Sequence, residues 1–270
     1  MGRDAGSITV RRPEFSLADL PRWWVGGSRL GTWFGNAGHV FIPLGEQLFI
    51  DSVKAFRDRI GDADLRRDVA SFIGQEAVHA RVHEAVWDEL RSHGAPVDTY
   101  ADLITRFRTA LEPHLPPELL LSTTAALEHY TAAFGRAFLS EDLDGVLPDE
   151  MAALLRWHGA EELEHRSVAF DVLAEVDDRL GLRLAGMAMA TALLSVVPAV
   201  GVGLFAVSDV SAKRALLPRR PNPSLVGMSL RFLGDVAGEV VRYLRPGFHP
   251  GDEDVPEGYR RWLDQEGSAA

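Results

Sequence analysis

The sequence predicts an all-α protein built on a four-helix bundle with a helical C-terminal extension. Two predicted helices each carry a Glu-x-x-His motif, and a helix that offers one more glutamate precedes each of them at a similar distance. In helical bundles, this combination is typical of a site that binds two metal ions. A single motif is common by chance, but two in matching positions form an internal repeat that favours the metal site.

Composition restricts the class of protein further. The chain has 270 residues, of which 46% are hydrophobic, so that a sizeable core can be buried. It has no cysteine, which excludes disulfides, thiolate metal sites and iron–sulfur clusters and is natural for a reducing compartment such as the cytoplasm. A formal net charge of -11 argues against a nucleic-acid partner and against attraction to anionic lipid by charge alone.

The first glutamate of the repeat is Glu46, in a helix predicted over residues 33–60. Its neighbours at 41–44 and 48–50 are apolar, and a buried acid is usually paired or bound to metal. Pro43 removes one backbone donor and would bend the helix beside Glu46. Alternatively, Pro43 begins a new helix and Glu46 lies in its first turn, where the helix dipole favours an acid.

The first Glu-x-x-His motif consists of Glu76 and His79, in a helix predicted over residues 62–93. Positions three apart on a helix share a face, so both side chains point to the same side. His83, one turn beyond His79, shares that face as well. It is a further ligand, a hydrogen-bond partner or a surface histidine, and we favour the last two interpretations.

The second glutamate is Glu128, in a helix predicted over residues 117–139, after a shorter helix over 98–112. Small residues precede Glu128 and would allow close helix packing. His129 is rotated by about 100° from Glu128, so the two side chains cannot point at the same metal ion. We expect His129 to lie at the surface or to contact the ligands from outside.

The second motif is longer and is the centre of the prediction. A helix over residues 148–178 carries His158, Glu162 and His165, which stack on one helical face. Burying two imidazoles and a carboxylate together is costly without a metal ion. The predicted metal ligands are therefore Glu46, Glu76, His79, Glu128, His158, Glu162 and His165.

Other polar residues flank this motif. Glu161 competes with Glu162 as a ligand, but the match to the spacing of the first motif favours Glu162. Glu164 points elsewhere, and we expect it to be solvated or to contact the ligands from outside. Arg166 and Asp171 are candidates for orienting the ligands, as outer partners of metal sites do.

The C-terminal third contains an uncharged segment at residues 184–207, with Pro198 inside it. It is longer than the ~20 residues that cross a bilayer as a helix. One interpretation is a membrane-inserted helix or hairpin. The other is a buried helix, or a pair broken at Pro198, that covers the bundle or forms a homodimer contact. A last amphipathic helix is predicted over residues 221–245.

These features divide the chain into four predicted segments. An N-terminal tail with a short helix (1–30) precedes the metal-binding bundle (31–182), a hydrophobic and amphipathic helical extension (183–250) and an acidic tail (251–270). The predicted location is the cytoplasm, with membrane association through 184–207 as the alternative.

The ligand order is similar to that of the ferritin-like di-iron proteins. With the added His158, it resembles the three-histidine, four-glutamate pattern of arylamine oxygenases of the p-aminobenzoate N-oxygenase type. The hydrophobic C-terminal third departs from those oxygenases. From about Glu14 to His249 the chain also resembles the bacterial family of predicted metal-dependent hydrolases, through Pro43-Leu44-Gly45-Glu46, Gly74-Gln75-Glu76-x-x-His79 and Phe248-His249-Pro250.

These resemblances and the ligand set imply a metal enzyme. The main expectation is a pair of iron ions that activates O2 to oxidise a small organic substrate, apolar or an amine, with an electron donor as a further partner. Manganese and zinc also accept glutamate and histidine ligands. The alternative is a metal-dependent hydrolase that uses a metal-bridging hydroxide. A second alternative is a non-catalytic iron-binding or membrane-associated protein.

Overall fold

The computed structural model describes residues 8–140, 143, 145–209 and 223–269. Within these residues the α-helices are α1 (Arg29–Lys54), α2 (Ala63–Ser92), α3 (Val97–Leu111), α4 (Pro117–Ser140), α5 (Asp149–His165), α6 (Val168–Val176), α7 (Leu180–Ser208), α8 (Pro223–Tyr243) and α9 (Glu257–Ala269). Short 3-10 helices lie at Arg57–Arg59, Glu112–His114 and Pro250–Asp252. The prediction of an all-α helical bundle is confirmed.

Four helices carry the predicted ligands and pack together. α1 packs along α2, and α4 packs along α5, while α1 also contacts α4 and α2 also contacts α5. Two apolar clusters occupy successive levels of this arrangement. On α1 and α2, Glu46 and Glu76 lie between the stretches that enter the two clusters, which are 33–40 and 48–53 on α1 and 65–72 and 78–90 on α2.

Pro43 lies inside α1, which continues to Lys54. The alternative that Pro43 begins a new helix is therefore wrong, and Glu46 lies in the interior of a long helix. The start of α1 is also earlier than predicted. Ser28 caps it, because its Oγ accepts a hydrogen bond from the Gly31 N–H at 3.1 Å.

The helix predicted over 148–178 is two helices, because the chain breaks between His165 and Val168. The Arg166 guanidinium donates to the Leu163 carbonyl, which in a continuous helix would accept the N–H of Ser167. Arg166 also donates to the Pro250 carbonyl at 3.0 Å. The break therefore follows directly after the last predicted ligand.

α7 runs through Pro198 without interruption, so the predicted pair of helices broken at Pro198 is wrong. It packs against α4 and α1, while its outer face is exposed, with Val196 at 59% and Val207 at 83%. In the part of the chain that the structure describes, α7 is the one helix long and apolar enough to cross a membrane, which is weak support by itself. Membrane contact, a homodimer through 184–207 and a cytoplasmic location stay predictions.

The segment predicted as an acidic tail contains α9, which packs on α4. Its partly buried Tyr259 and Trp262 contact an apolar cluster that includes Leu139 and Leu163. Burial of these aromatic rings stabilises the folded helix in this segment. The division of the chain into four segments stays a prediction.

Candidate metal centre

The structure brings the seven predicted ligands together inside the bundle. They come from four helices: Glu46 from α1, Glu76 and His79 from α2, Glu128 from α4, and His158, Glu162 and His165 from α5. All seven are buried, and the most accessible, His158, is 9% exposed. Buried acids are rare unless they are paired or bound to a metal ion, so this grouping needs an explanation.

In the described residues, four overlapping groups of Glu and His atoms could each hold a metal ion, and two of these groups share Glu76. In the first, the Nδ1 of His79 lies 3.9 Å from Glu46 Oε1 and 4.0 Å from Glu76 Oε2. In the second, the Nε2 of His165 lies 3.3 Å from Glu76 Oε1 and 3.4 Å from Glu128 Oε2. Glu76 belongs to both groups, so its two oxygens face two neighbouring positions.

Glu162 also joins the two groups. Its Oε1 lies 2.7 Å from His158 Nε2 and 3.5 Å from His79 Nδ1, and its Oε2 lies 3.3 Å from His165 Nε2. The ring of His158 stacks on that of His79, with centroids 4.1 Å apart. The third histidine therefore belongs to the half of the site that contains His79, and the two halves are unequal.

Many polar atoms of this group have no hydrogen-bond partner. They are both carboxylate oxygens of Glu46, Glu76 and Glu128, the Oε2 of Glu162, the Nδ1 of His79 and both ring nitrogens of His165. Buried polar atoms left unpaired are unfavourable and uncommon. Carboxylate and imidazole donors suit iron, manganese and zinc. The residues therefore fit a pair of metal ions.

Burial shifts the pKa values of these acids. It raises the pKa of Glu46, with help from Glu162, and that of Glu76, with help from Glu128. Burial also raises the pKa of Glu128, although His165 opposes this effect. Burial thus favours the neutral form of these carboxyl groups in the absence of metal.

Glu162 and His165 behave differently, because they form an ion pair. Burial acts to raise the pKa of Glu162, but His165 and then His158 pull it well below its usual range. Burial acts to lower the pKa of His165, but Glu128 and Glu162 raise it to about 9. Charge pairing therefore outweighs burial at Glu162 and His165, whereas burial dominates at Glu46, Glu76 and Glu128.

Residues 9–254 match the protein family described as predicted metal-dependent hydrolase. The chain belongs to that family. No curated protein and no solved structure matches it. The resemblance to this family is confirmed, whereas no comparison supports the resemblance to the arylamine oxygenases. Metal dependence thus agrees with buried Glu and His groups that can hold metal ions.

A close crossing of two helices lies beside the site in this member of the predicted metal-dependent hydrolase family. Gly135 of α4 and Gly159 of α5 meet so tightly that a Cβ on Gly159 would lie 2.7 Å from the Gly135 Cα. Gly159 is the neighbour of His158 and lies three residues before Glu162. The absence of side chains here lets α4 and α5 bring Glu128 and Glu162 towards each other.

Glu161 contacts the ligands from outside. Its Oε2 lies 3.0 Å from the Nε2 of His79, and its Oε1 accepts a hydrogen bond from Arg11 at 3.1 Å. The bond to Glu161 occupies Nε2 of His79 and leaves Nδ1 facing the site, as outer carboxylates of metal sites do. Glu164 is also paired with Arg11, at 2.7 Å, and accepts from the Gln75 amide at 2.9 Å. Choosing Glu162 rather than Glu161 for the inner position agrees with this geometry.

Two other residues that flank the motif hold the C-terminal segment. Arg166 donates to the carbonyls of Pro250 and Glu253 at 3.0 Å and 3.2 Å. The Asp171 carboxylate lies 2.8 Å from the Nε2 of His249. The Phe248-His249-Pro250 motif therefore docks next to the end of α5, directly behind the last predicted ligand.

For two histidines, the environment predicted from the sequence was partly wrong. His83 is fully buried and its Nε2 lies 2.7 Å from His158 Nδ1, so the hydrogen-bond interpretation is confirmed and the surface interpretation is wrong. The interpretation of His83 as a further ligand stays a prediction, since Glu46, His83 and His158 form a group that could hold a metal ion. His129 is also buried, with its Nε2 2.9 Å from the Glu239 carbonyl, so its predicted surface position is wrong. Burial by later helices, which the local pattern does not show, explains both errors.

Sequence reasoning missed His39. It is buried on α1, and its Nδ1 lies 2.8 Å from the Nδ1 of His83. A signal existed, because His39 lies seven residues before Glu46 and so shares its helical face.

Proposed function

We propose that this protein is a metal-dependent hydrolase whose centre holds two metal ions between α1, α2, α4 and α5. The observation that carries the proposal is the set of buried carboxylate and imidazole atoms without hydrogen bonds, in groups of which two share Glu76. Membership of the predicted hydrolase family favours hydrolysis over other metal chemistry. When bound, such ions polarise a carbonyl or phosphoryl oxygen and activate water.

Each half of the site has its own proposed ligands. Glu46, His79 and His158 would hold one ion, and Glu128 and His165 would hold the other. Glu76 and Glu162 would serve both ions, because each carboxylate reaches groups of both halves. Iron, manganese and zinc all suit this donor set, and hydrolysis requires none of them to change oxidation state.

Aromatic rings limit the water around the ligands. Phe72 lies edge-on to His165 with centroids 5.0 Å apart, and Trp157 lies edge-on to His79 with centroids 4.9 Å apart. Apolar walls strengthen electrostatic interactions inside a site because they lower the local dielectric constant. Aromatic side chains thus shield part of the ligand set from solvent.

An apolar cleft beside the bundle supports an apolar substrate. The cleft lies between α1, α3, α4 and α7. Its lining includes Leu44, Gly45 and Leu48, which flank Glu46, and Leu127, which precedes Glu128. We propose that the apolar part of the substrate occupies this cleft while its reacting group approaches the glutamates.

A second candidate function is O2-dependent oxidation of a small apolar or amine substrate by two iron ions. The observation that favours it is the unequal number of histidines in the two halves, because His158 would give one ion an extra imidazole. This reaction would require O2 and an electron donor as partners.

Metal stoichiometry tests the site. Protein loaded anaerobically with Fe(II) is expected to bind two ions per chain by elemental analysis, and the double variant His79→Ala, His165→Ala is expected to bind close to none. His129→Ala is the matched control, because His129 is buried but bonds to the Glu239 carbonyl outside the site. Wild-type protein that binds no metal, or a double variant that binds as wild type does, contradicts the proposal.

The choice of metal separates the two reactions. If the protein is a hydrolase, its zinc or manganese form is expected to cleave ester or amide substrates with apolar groups without consuming O2. Oxygen-electrode traces and product analysis would be compared for the iron and zinc forms. Consumption of O2 by the iron form, together with an inert zinc form, would replace hydrolysis with the oxidation candidate.

A further inference from the structure

Three buried histidine rings form a hydrogen-bonded chain that leads away from the candidate metal centre. The Nδ1 of His158 lies 2.7 Å from the Nε2 of His83, and the Nδ1 of His83 lies 2.8 Å from the Nδ1 of His39. On its other side, the Nε2 of His158 faces Glu162 at 2.7 Å. The proposed two-metal function uses His158 but gives no role to His83 or His39.

The direction of this chain depends on the state of His158. A neutral imidazole has one N–H donor and one acceptor nitrogen, so the bonds of a chain of rings must all run the same way. A metal ion on Nε2 of His158 leaves the proton on Nδ1, and His158 must then donate to His83. His83 in turn donates from Nδ1 to His39. Burial favours neutral rings, because it lowers the pKa of His39 to about 3 and that of His83 below its usual range.

The far end of the chain is anchored by tryptophans. The Trp24 ring lies 5.5 Å from the His39 ring, and its Nε1 donates to the Asn36 side chain at 2.8 Å. The Nε1 of Trp87 donates to the backbone carbonyl of His39, also at 2.8 Å. These contacts hold the backbone and ring of His39 in place, so the last ring of the histidine chain has a fixed position.

We infer that His83 and His39 are positioning residues, which hold the ring of His158 with its Nε2 towards the metal ions. This inference rests on the proposed two-metal site and adds a specific outer structure to it. Outer hydrogen bonds to metal-binding histidines orient the ring and select its tautomer. Here the outer partners are two further imidazoles, and they support only the half of the site that contains His79.

Cobalt(II) binding to the full-length protein tests the inference, with the ion itself as the probe. Wild-type protein is expected to bind two Co(II) ions. His83→Phe keeps a ring but removes both hydrogen bonds, and one of the two ions is then expected to bind about 10- to 100-fold more weakly. The visible spectrum of that ion should change, whereas the other ion keeps its affinity.

His83→Gln distinguishes positioning from packing. The amide of glutamine can accept from His158 and donate to His39, so this variant is expected to restore much of the lost affinity. His129→Phe is the matched control, because it removes a buried histidine bonded to the Glu239 carbonyl and should leave both ions unaffected. Thermal melting of each variant reports folding separately. If His83→Phe does not fold, His39→Phe is the second variant. It removes only the hydrogen bond between His39 and His83 and is expected to change the affinity for the same ion.

Three results would overturn the inference. His83→Phe that binds both ions with wild-type affinity and spectrum would show that the chain has no positioning role. Failure of His83→Gln to bind better than His83→Phe would show that only packing matters. A third Co(II) ion in wild-type protein, lost in His83→Phe, would make His83 itself a ligand. Wild-type protein that binds no Co(II) would instead refute the proposed function, which is a separate outcome.

Discussion

Removing the metal ions is expected to destabilise this protein, and the loss is expected to increase as the pH rises from 6.5 towards 9. Burial raises the pKa values of Glu46, Glu76 and Glu128, so in the metal-free folded protein these groups keep their protons to a higher pH than they do in the unfolded chain. In the unfolded chain these carboxyl groups have ordinary pKa values and have already lost their protons at pH 6.5. The unfolded state therefore binds fewer protons, and the free energy of unfolding falls with rising pH.

His165 acts in the same direction. Its folded pKa of about 9 lies above the ordinary value of 6.5, so its stabilising effect is complete below pH 6.5 and is lost as the pH rises through 9. Each group that differs in protonation between the two states contributes about 1.4 kcal/mol per pH unit. Several such groups together would make the free energy of unfolding of the metal-free protein depend steeply on pH. Bound metal replaces the protons, and the loaded protein should lack this dependence.

Four buried histidines with lowered pKa values do not reverse this prediction. Burial lowers the pKa of His39 to about 3, that of His79 to about 4, and those of His83 and His129 below the usual range. In the unfolded chain these histidines have an ordinary pKa of about 6.5 and stay partly protonated up to about pH 7.5, so their contribution changes below that pH. There, their effect has the opposite sign, because the unfolded histidines take up protons that the folded ones do not.

Calorimetry of chelator-treated and metal-reloaded protein measures this effect. The melting temperature of the metal-free protein should fall between pH 6.5 and 8.5, while that of the reloaded protein should stay higher and change less. A metal-free protein whose melting temperature is constant or rises over this range would show that Glu46, Glu76 and Glu128 do not hold protons in the folded state.

Gly159→Ala is expected to be strongly destabilising, although Gly159 is not a ligand. The added Cβ would meet the backbone of Gly135, which cannot rotate away as a flexible side chain could. Overpacking typically costs about 1–3 kcal/mol, and a backbone contact favours the upper end of that range. Because α4 and α5 must separate to relieve it, Glu128 would move away from Glu162, and binding of both ions should weaken.

Gly38→Ala is the control for this substitution. Gly38 is also inside a helix, but a Cβ there would meet nothing within 4 Å. Alanine in the place of a helical glycine is usually favourable by about 1 kcal/mol, so this variant should melt at the same or a higher temperature. Equal melting temperatures and equal metal content for Gly159→Ala and wild type would show that the helix crossing does not set the width of the site.

The sequence alone was sufficient for the helical class and for the seven predicted ligands that the fold brings together, but not for His39 and His83 beside them. Glu76 and His79, and likewise Glu162 and His165, are three residues apart, so helical geometry puts each pair on one face whatever surrounds it. The repeated pairing with Glu46 and Glu128 then predicts which helices meet. This inference is strong because it depends on local spacing and on the high cost of burying acids without partners.

Only the tertiary structure decided how the surrounding polar residues are used. Glu161 and Glu162 are adjacent, and the pairing of Glu161 with Arg11, a residue 150 positions earlier in the chain, leaves Glu162 inside. The histidine chain depends on α1, α2 and α5 meeting, because His39, His83 and His158 come from three different helices. Spacing along one helix determines which side chains share a face, but hydrogen bonds between distant segments exist only after the chain has folded.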